Sequence, residues 1–173
     1  NIELLDMFAA SKGYTFIYKA YPVKRLIYGF LNNTVDFKYP DNPYWSSTLK
    51  KDSKIIYSNK VLRYIDGVMV LPENKYKGIS KLGNLAVAAG FTPYPFFKYI
   101  NNGQIKVDEV FNYENLLIKG LKNRVGGIYS NISVSQHYLK NFMKKENQLV
   151  FDESLPYIED YRYLSTIKHT KII

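Results

Sequence analysis

Two stretches of the chain, RLIYGFLNNTVDFKY at Arg25–Tyr39 and NLLIKGLKNRVGGIY at Asn115–Tyr129, are built to one plan. Each sets apolar residues at helical spacing, then a glycine, then an asparagine, then a strand led by valine, with a one-residue slip after the glycine. Helix-to-strand transitions share chemistry, so chance is one reading of the echo; the other is a pair of similar lobes. Elsewhere helices and strands also alternate at short loop lengths, and that alternation argues for a parallel sheet flanked by helices.

Taken in order, the chain opens with Ile2, Leu5, Phe8 and Ala9 at helical spacing and Gly13 as a stop, which places residue 1 at or inside a helix. Thr15 to Tyr21 is β-branched and aromatic and predicts a strand. A helix on Leu26, Ile27, Phe30 and Leu31 follows Pro22, and Val35 to Tyr39 predicts a buried strand. Pro40, Asp41, Asn42 and Pro43 then make a stiff turn, because two prolines fix φ and remove two donors, and the turn presents Tyr44 and Trp45 beyond the strand's carboxyl end. In open α/β sheets ligands bind there. Ser46 to Lys54 is a polar loop or one helical turn, and Val61 to Leu71 predicts two strands kinked at Asp66-Gly67.

A second set of elements starts at the small apolar strand Leu85 to Ala89. Thr92 is placed to cap a helix on Tyr94 to Ile100, with proline near its first position. Strands at Ile105–Val107, Val125–Tyr129 and Leu149–Phe151 alternate with helices on Leu116–Leu121 and around Val134–Phe142.

With 173 residues, 46% hydrophobic and 16% aromatic, the chain can bury a real core as one large domain or two small lobes. The net charge of +9 is scattered, with no run of five basic residues, so it reads as solvated surface and nucleic acid is not expected as a partner. Absence of cysteine excludes disulfides and thiolate metal sites. His137 and His169 stand far apart without carboxylate spacing, so no metal and no cofactor is expected. No apolar run approaches a membrane span, and no leader is visible at the start.

The order of these elements, with P-x-x-R-x-x-x-x-x-L at Pro22–Leu31, the V-D-F strand entry, the return strand Tyr57 to Val70, AAGFTPYP at Ala88–Pro95 and KNRVGGIYSN, resembles the type II periplasmic solute-binding proteins, in the branch related to extracellular solute-binding protein family 3. The resemblance implies an α/β protein of two lobes joined by two crossover strands acting as a hinge, clipped at both termini. Lobe 1 is expected over 1–68, lobe 2 over 69–154, and the return crossover with part of lobe 1 over 155–173. It implies a soluble, periplasmic or extracellular, monomeric component of an ABC-type uptake system, holding a small polar or anionic solute in an inter-lobe cleft and delivering it to a membrane permease. The alternatives are a ligand-sensing extracellular domain of a receptor and, less favoured, a small hydrolase or lyase. No cysteine, G-x-S-x-G or G-x-x-x-x-G-K-[ST] motif is present, so an enzyme is not expected.

Carried over residue by residue, the ligand-binding candidates are Asp41, Asn42, Tyr44 and Trp45 in the first loop, Arg63, Tyr64 and Asp66 at the first crossover, Thr92 and Tyr94 at the helix start, Asn131 at the second lobe's strand end, and Arg25 on the P-x-x-R helix. Each has a plainer role as well. Trp45 can be a packing anchor, Asp41 and Asn42 can close the turn, Thr92 can be only a cap, and Arg25 can be a surface group. Two departures bear on the ligand. Amino-acid-binding members carry an arginine where Lys50 and Lys51 stand and an aspartate where Asn131 stands, so a plain α-amino acid is not the expected solute.

Overall fold

The computed structural model describes residues 2–173. The chain forms two compact units, unit 1 from Asn1–Asn59 with Leu164–Ile173 and unit 2 from Lys60–Tyr163. Both divisions differ from the expected lobe limits at 68 and 154. Residues 62–70 form a strand that is ladder-bonded within unit 2 along nearly its whole length, so it packs as part of that unit.

Unit 1 contains helices α1 (Ile2–Ser11), α2 (Val23–Leu31) and α3 (Ser47–Lys50) and strands β1 (Phe37–Asp41) and β2 (Ile56–Tyr57). Helix α1 buries Leu5 and Ala9, and Gly13 at φ 75° ends it by letting the Tyr14 N–H reach the Ala9 carbonyl at 2.9 Å. The expectation for residue 1 lies outside the described residues. Thr15 to Tyr21 forms no strand: strand propensity is realised only against a ladder partner, none of the described strands pairs with this segment, and Ile17 is 86% exposed.

Unit 2 holds β3 (Leu62–Val70), α4 (Ile79–Leu82), β4 (Asn84–Ala88), α5 (Phe97–Asn101), β5 (Lys106–Val110), α6 (Tyr113–Leu121), β6 (Gly127–Asn131), α7 (Ile132–Asn141) and β7 (Val150–Phe151); β8 (Ile158–Thr166) begins here and ends in unit 1. The sheet runs β8-β3-β6-β4-β5 with β7 also on β3. Strands β4, β5 and β6 are mutually parallel along their pairings, as alternation predicts, whereas β3 is antiparallel to β6, β7 and β8. Period-2 alternation splits the core between the two sheet faces. Met69, Ala86 and Ile128 pack under Leu116, Leu117 and Leu139 of α6 and α7, while Val68, Leu85, Val87 and Tyr129 face Phe96 and Ile105.

Strand β3 is continuous, not kinked at Asp66-Gly67. Gly67 lets the Phe151 ring lie where a Cβ would stand, 2.6 Å from the nearest ring carbon, so the glycine serves close packing instead of a bend.

The two echoing stretches do fold alike. In both α2 and α6 an asparagine follows the helix in the left-handed region, Asn33 at φ 59° and Asn123 at φ 51°. The next amide then bonds back five residues, Thr34 to Gly29 at 2.8 Å and Arg124 to Lys119 at 3.1 Å, and the chain turns into β1 or β6. Gly126, between α6 and β6, passes so close to α4 that a Cβ would sit 1.8 Å from the Leu82 carbonyl oxygen. Backbone cannot step aside as a side-chain tip can, so Gly126→Ala is expected to lower stability by about 2 kcal/mol, read as a drop in urea midpoint.

Candidate functional site

In unit 2 the carboxyl end of β6 runs directly into α7, and polar side chains gather there. Asn131 ends the strand and caps the helix: its Oδ1 accepts from the Val134 amide at 3.1 Å, leaving Nδ2 to donate to Asp66 Oδ1 at 2.9 Å and toward the Ile65 carbonyl at 3.4 Å. The contact follows from register, since Asp66 on β3 lies directly opposite Asn131. Beside them, Ser130, Ser135 and the Tyr113 hydroxyl form a chain with 2.7 Å links. Burial raises the Tyr113 phenol pKa, and the serine hydroxyls oppose that shift.

Asp66 is 4% exposed, and the Asn131 amide is its one hydrogen-bond donor among the described residues. Burial pushes its carboxyl up to about 6; the Asn131 hydrogen bond and the positive field of Arg162 pull the other way without prevailing. Arg162 on β8 forms no ion pair with it. Its guanidinium instead lies 5.7 Å from the Tyr64 ring centroid, and its Nε is buried without a partner. The Tyr129 hydroxyl is likewise buried and unbonded, its pKa raised by burial and then by Asp66, Tyr64 and Tyr94. Buried polar atoms without partners are few in folded proteins, and two of them flank this carboxylate.

Unit 1 has a different polar knot, at the end of β1. Asp41 is fully buried, and Lys38 Nζ and Lys50 Nζ both donate to its Oδ1 at 2.6 Å, the Asn42 amide joins them at 2.8 Å, and Ser165 Oγ donates to Oδ2 at 2.6 Å. Lys50 also reaches the Asn42 carbonyl at 2.8 Å and the Tyr57 hydroxyl at 3.2 Å. Burial lowers the pKa of both lysines, with Asp41 opposing. Asn42 accepts from the Tyr44 amide at 3.0 Å, an Asx turn that carries the chain outward. Tyr44 is thereby 68% exposed, and Trp45 is half-buried with Lys38 Nζ 5.7 Å from its ring.

The remaining candidates are scattered. Arg63 is exposed and paired with Glu159, and Arg25 is exposed over the Tyr21 ring at 5.0 Å. Thr92 is not a cap. A 3-10 turn at Tyr94–Phe96 precedes α5, Pro93 occupies its cap position without a side-chain bond, and the Tyr94 amide bonds the Thr92 carbonyl at 3.0 Å. Tyr94 stacks edge-on with Phe97. Asp36 pairs with His169 at 3.2 Å, a carboxylate contact across 133 residues that spacing in the sequence gave no sign of. Among the described residues no group of three or more His, Cys, Asp or Glu side chains is placed to hold a metal, and no helix is long and apolar enough to cross a membrane.

A cavity of about 690 Å³ is an open groove in unit 1 whose lining includes Phe16, Ile17, Leu26, Phe37, Leu164 and His169. It contains none of the sequence-derived candidates. The polar cluster on β3, β6 and β8 is chemically the better candidate.

Comparison with solved structures gives the fold its class. The chain is similar to the GluR0 ligand-binding core in complex with L-glutamate, at TM-score 0.74 and 14% identity over 99% of this chain and 78% of that one. It is also similar to an arginine transport-system periplasmic binding protein from Legionella pneumophila (TM-score 0.73, 12% identity, 99% and 76% covered) and to an ancestral amino-acid-binding protein described as a precursor of cyclohexadienyl dehydratase (0.71, 16%, 98% and 71%). No family model and no curated protein matches the sequence. The fold is that of the two-lobed type II periplasmic solute-binding proteins.

Proposed function

We propose that this chain is a monomeric solute-binding protein of the periplasmic or extracellular space that captures a small polar solute and delivers it to the membrane permease of an ABC-type uptake system. The observation that carries the reading is the Asp66–Asn131 pair: a buried carboxylate and amide at the carboxyl end of a strand in a fold whose solved neighbours are amino-acid-binding proteins. Binding is favoured over turnover because the polar groups at that end are hydrogen-bonding and aromatic, with no activated nucleophile beside a base.

The two grounds for setting an amino acid aside weigh less once side chains are placed. Lys50 is committed to Asp41, so its charge is not offered to an anion, and the carboxylate absent at position 131 stands directly across the ladder at Asp66. Tyr64, Tyr94, Asp66 and Asn131 are the contacts proposed on unit 2, where Arg63 is engaged by Glu159. In unit 1, Asp41 and Asn42 hold the loop that carries Tyr44 and Trp45.

Titration calorimetry with the twenty L-amino acids, small amines, sugars and carboxylates is expected to give saturable one-to-one binding to at least one. Heats indistinguishable from dilution across the panel would contradict the reading.

A further inference from the structure

We infer that the groove in unit 1 is a docking slot for one β-strand, joined in cis to the start of α1 and running between residues 15–21 and β1. The inference concerns unit 1 alone and does not rest on the solute-binding reading.

The first observation is a strand-like edge on each side of the groove. β1 ends the sheet order, with β8 beside it and no described strand beyond it. Residues 15–21 run without helix or strand, and among the described residues their backbone groups make no hydrogen bond to other backbone. Their sequence, TFIYKAY, nevertheless has strand composition, and edges of this kind are templates for a further strand. Residues 15–18 and 35–37 line the same groove, of about 690 Å³, and the Phe16 and Phe37 rings approach to 5.2 Å between centroids. Neighbouring strands pair at about 4.8 Å. Two runs that share a groove without a ladder stand more than one such step apart.

The second observation is that unit 2 shows the same plan with every strand in place. There β4 leads through α5 to β5, α6 carries the chain on to β6, and β4 lies between β5 and β6, parallel to both. The turn from α6 to β6 is the one that α2 and β1 repeat, with Asn123 answering to Asn33. Matching α2 to α6 therefore matches β1 to β6, residues 15–21 to β5, and α1 to α5. The place of β4 then falls to a strand that leads into α1 and separates residues 15–21 from β1. Ile2 and Leu5 line the groove, so α1 starts at its mouth, and the connection to such a strand is short.

The match also gives the chemistry of the occupant. In β4, Leu85 and Ala86 are fully buried and Val87 is 1% exposed, as expected of a parallel strand flanked on both sides and covered on both faces. A short run of small apolar residues is the strand that fits. Ile2 and Ile17, 58% and 86% exposed, border the groove and are the surface it would cover.

The test grafts the β4 stretch and its connection, NLAVAAGFTP from residues 84–93, ahead of Asn1 in the full chain, beside a Gly-Ser graft of equal length. Residue-resolved amide hydrogen exchange is the readout, with β6 in unit 2 as the internal reference. The expected result is exchange slowed about ten-fold or more at residues 15–21 and 37–41 by the β4-type graft alone, with β6 unchanged and the melting temperature raised by about 2–4 °C. Exchange at residues 15–21 that is equal in both grafts would overturn the slot. Protection that grows with concentration in the ungrafted chain would assign the groove to a second copy. Protection by the same peptide free in solution, with none from the graft, would assign it to a strand supplied in trans. Either of these last two results would overturn the cis assignment.

Discussion

Asp41→Ala is expected to lower stability by about 3–5 kcal/mol, the cost of stranding buried charge when one partner of an ion pair is removed. Lys38 and Lys50 are each 6% exposed and share one carboxylate oxygen, so the alanine variant leaves two ammonium groups in the interior with only carbonyl and hydroxyl acceptors. It also removes the acceptor of Ser165, which ties β8 to the end of β1 within unit 1. Lys50→Met is expected to cost much less, because Lys38 remains as the counter-ion and methionine fills the same volume with no charge to bury. Urea unfolding of the two variants side by side checks the claim. Equal losses would mean that packing around Lys50, not charge compensation by Asp41, holds the knot.

Asp66→Asn is expected to do the reverse and stabilise the ligand-free chain. The carboxyl is raised from an ordinary value of 3.8 to about 6, and at about 1.4 kcal/mol per unit the charged form costs up to about 3 kcal/mol in the fold. The sign follows from proton counting. The native state binds more protons than the unfolded chain between about pH 4 and pH 6, so this group's contribution worsens as pH rises through that window and is fully unfavourable above it. The variant escapes that cost while keeping an oxygen for Asn131 Nδ2. Its melting temperature is expected to exceed the wild type's by several degrees at pH 7.5 and to match it near pH 4. A variant less stable than wild type at pH 7.5 would assign Asp66 to structure. Greater stability together with lost binding is what a functional site built at the expense of the fold predicts.

Much of the architecture was legible because it is written in local chemistry. The helix, glycine, asparagine and valine order of α2–β1 and α6–β6 encodes a helix, a left-handed stop and a strand, and both copies fold that way. Thr15–Tyr21 has strand composition without a strand because a strand exists only when something pairs with it, and partner supply is not a local property. The kink expected at Asp66-Gly67 failed for a related reason, since the glycine answers to Phe151, which is far along the chain. At the site, Asp66 and Asn131 could each be picked out, but their contact depends on antiparallel register across 65 residues. Arg162 stands in a strand of alternating aromatic and charged residues with no local mark, and only the ladder with Leu62 brings it beside Tyr64. Nothing in SSTLKKDSK shows that Lys50 turns inward to Asp41.

The central claim, that a small polar solute binds at the Asp66–Asn131 pair, is tested most directly by a two-dimensional NMR titration of the nitrogen-15-labelled chain with the best calorimetric ligand. The prediction is that the Asn131 side-chain amide, the backbone amides of Asp66 and Val134, and the Tyr64 amide move together and saturate at one equivalent. Shifts confined to the groove around Phe16 and Phe37, with the Asn131 amide unmoved, would contradict it.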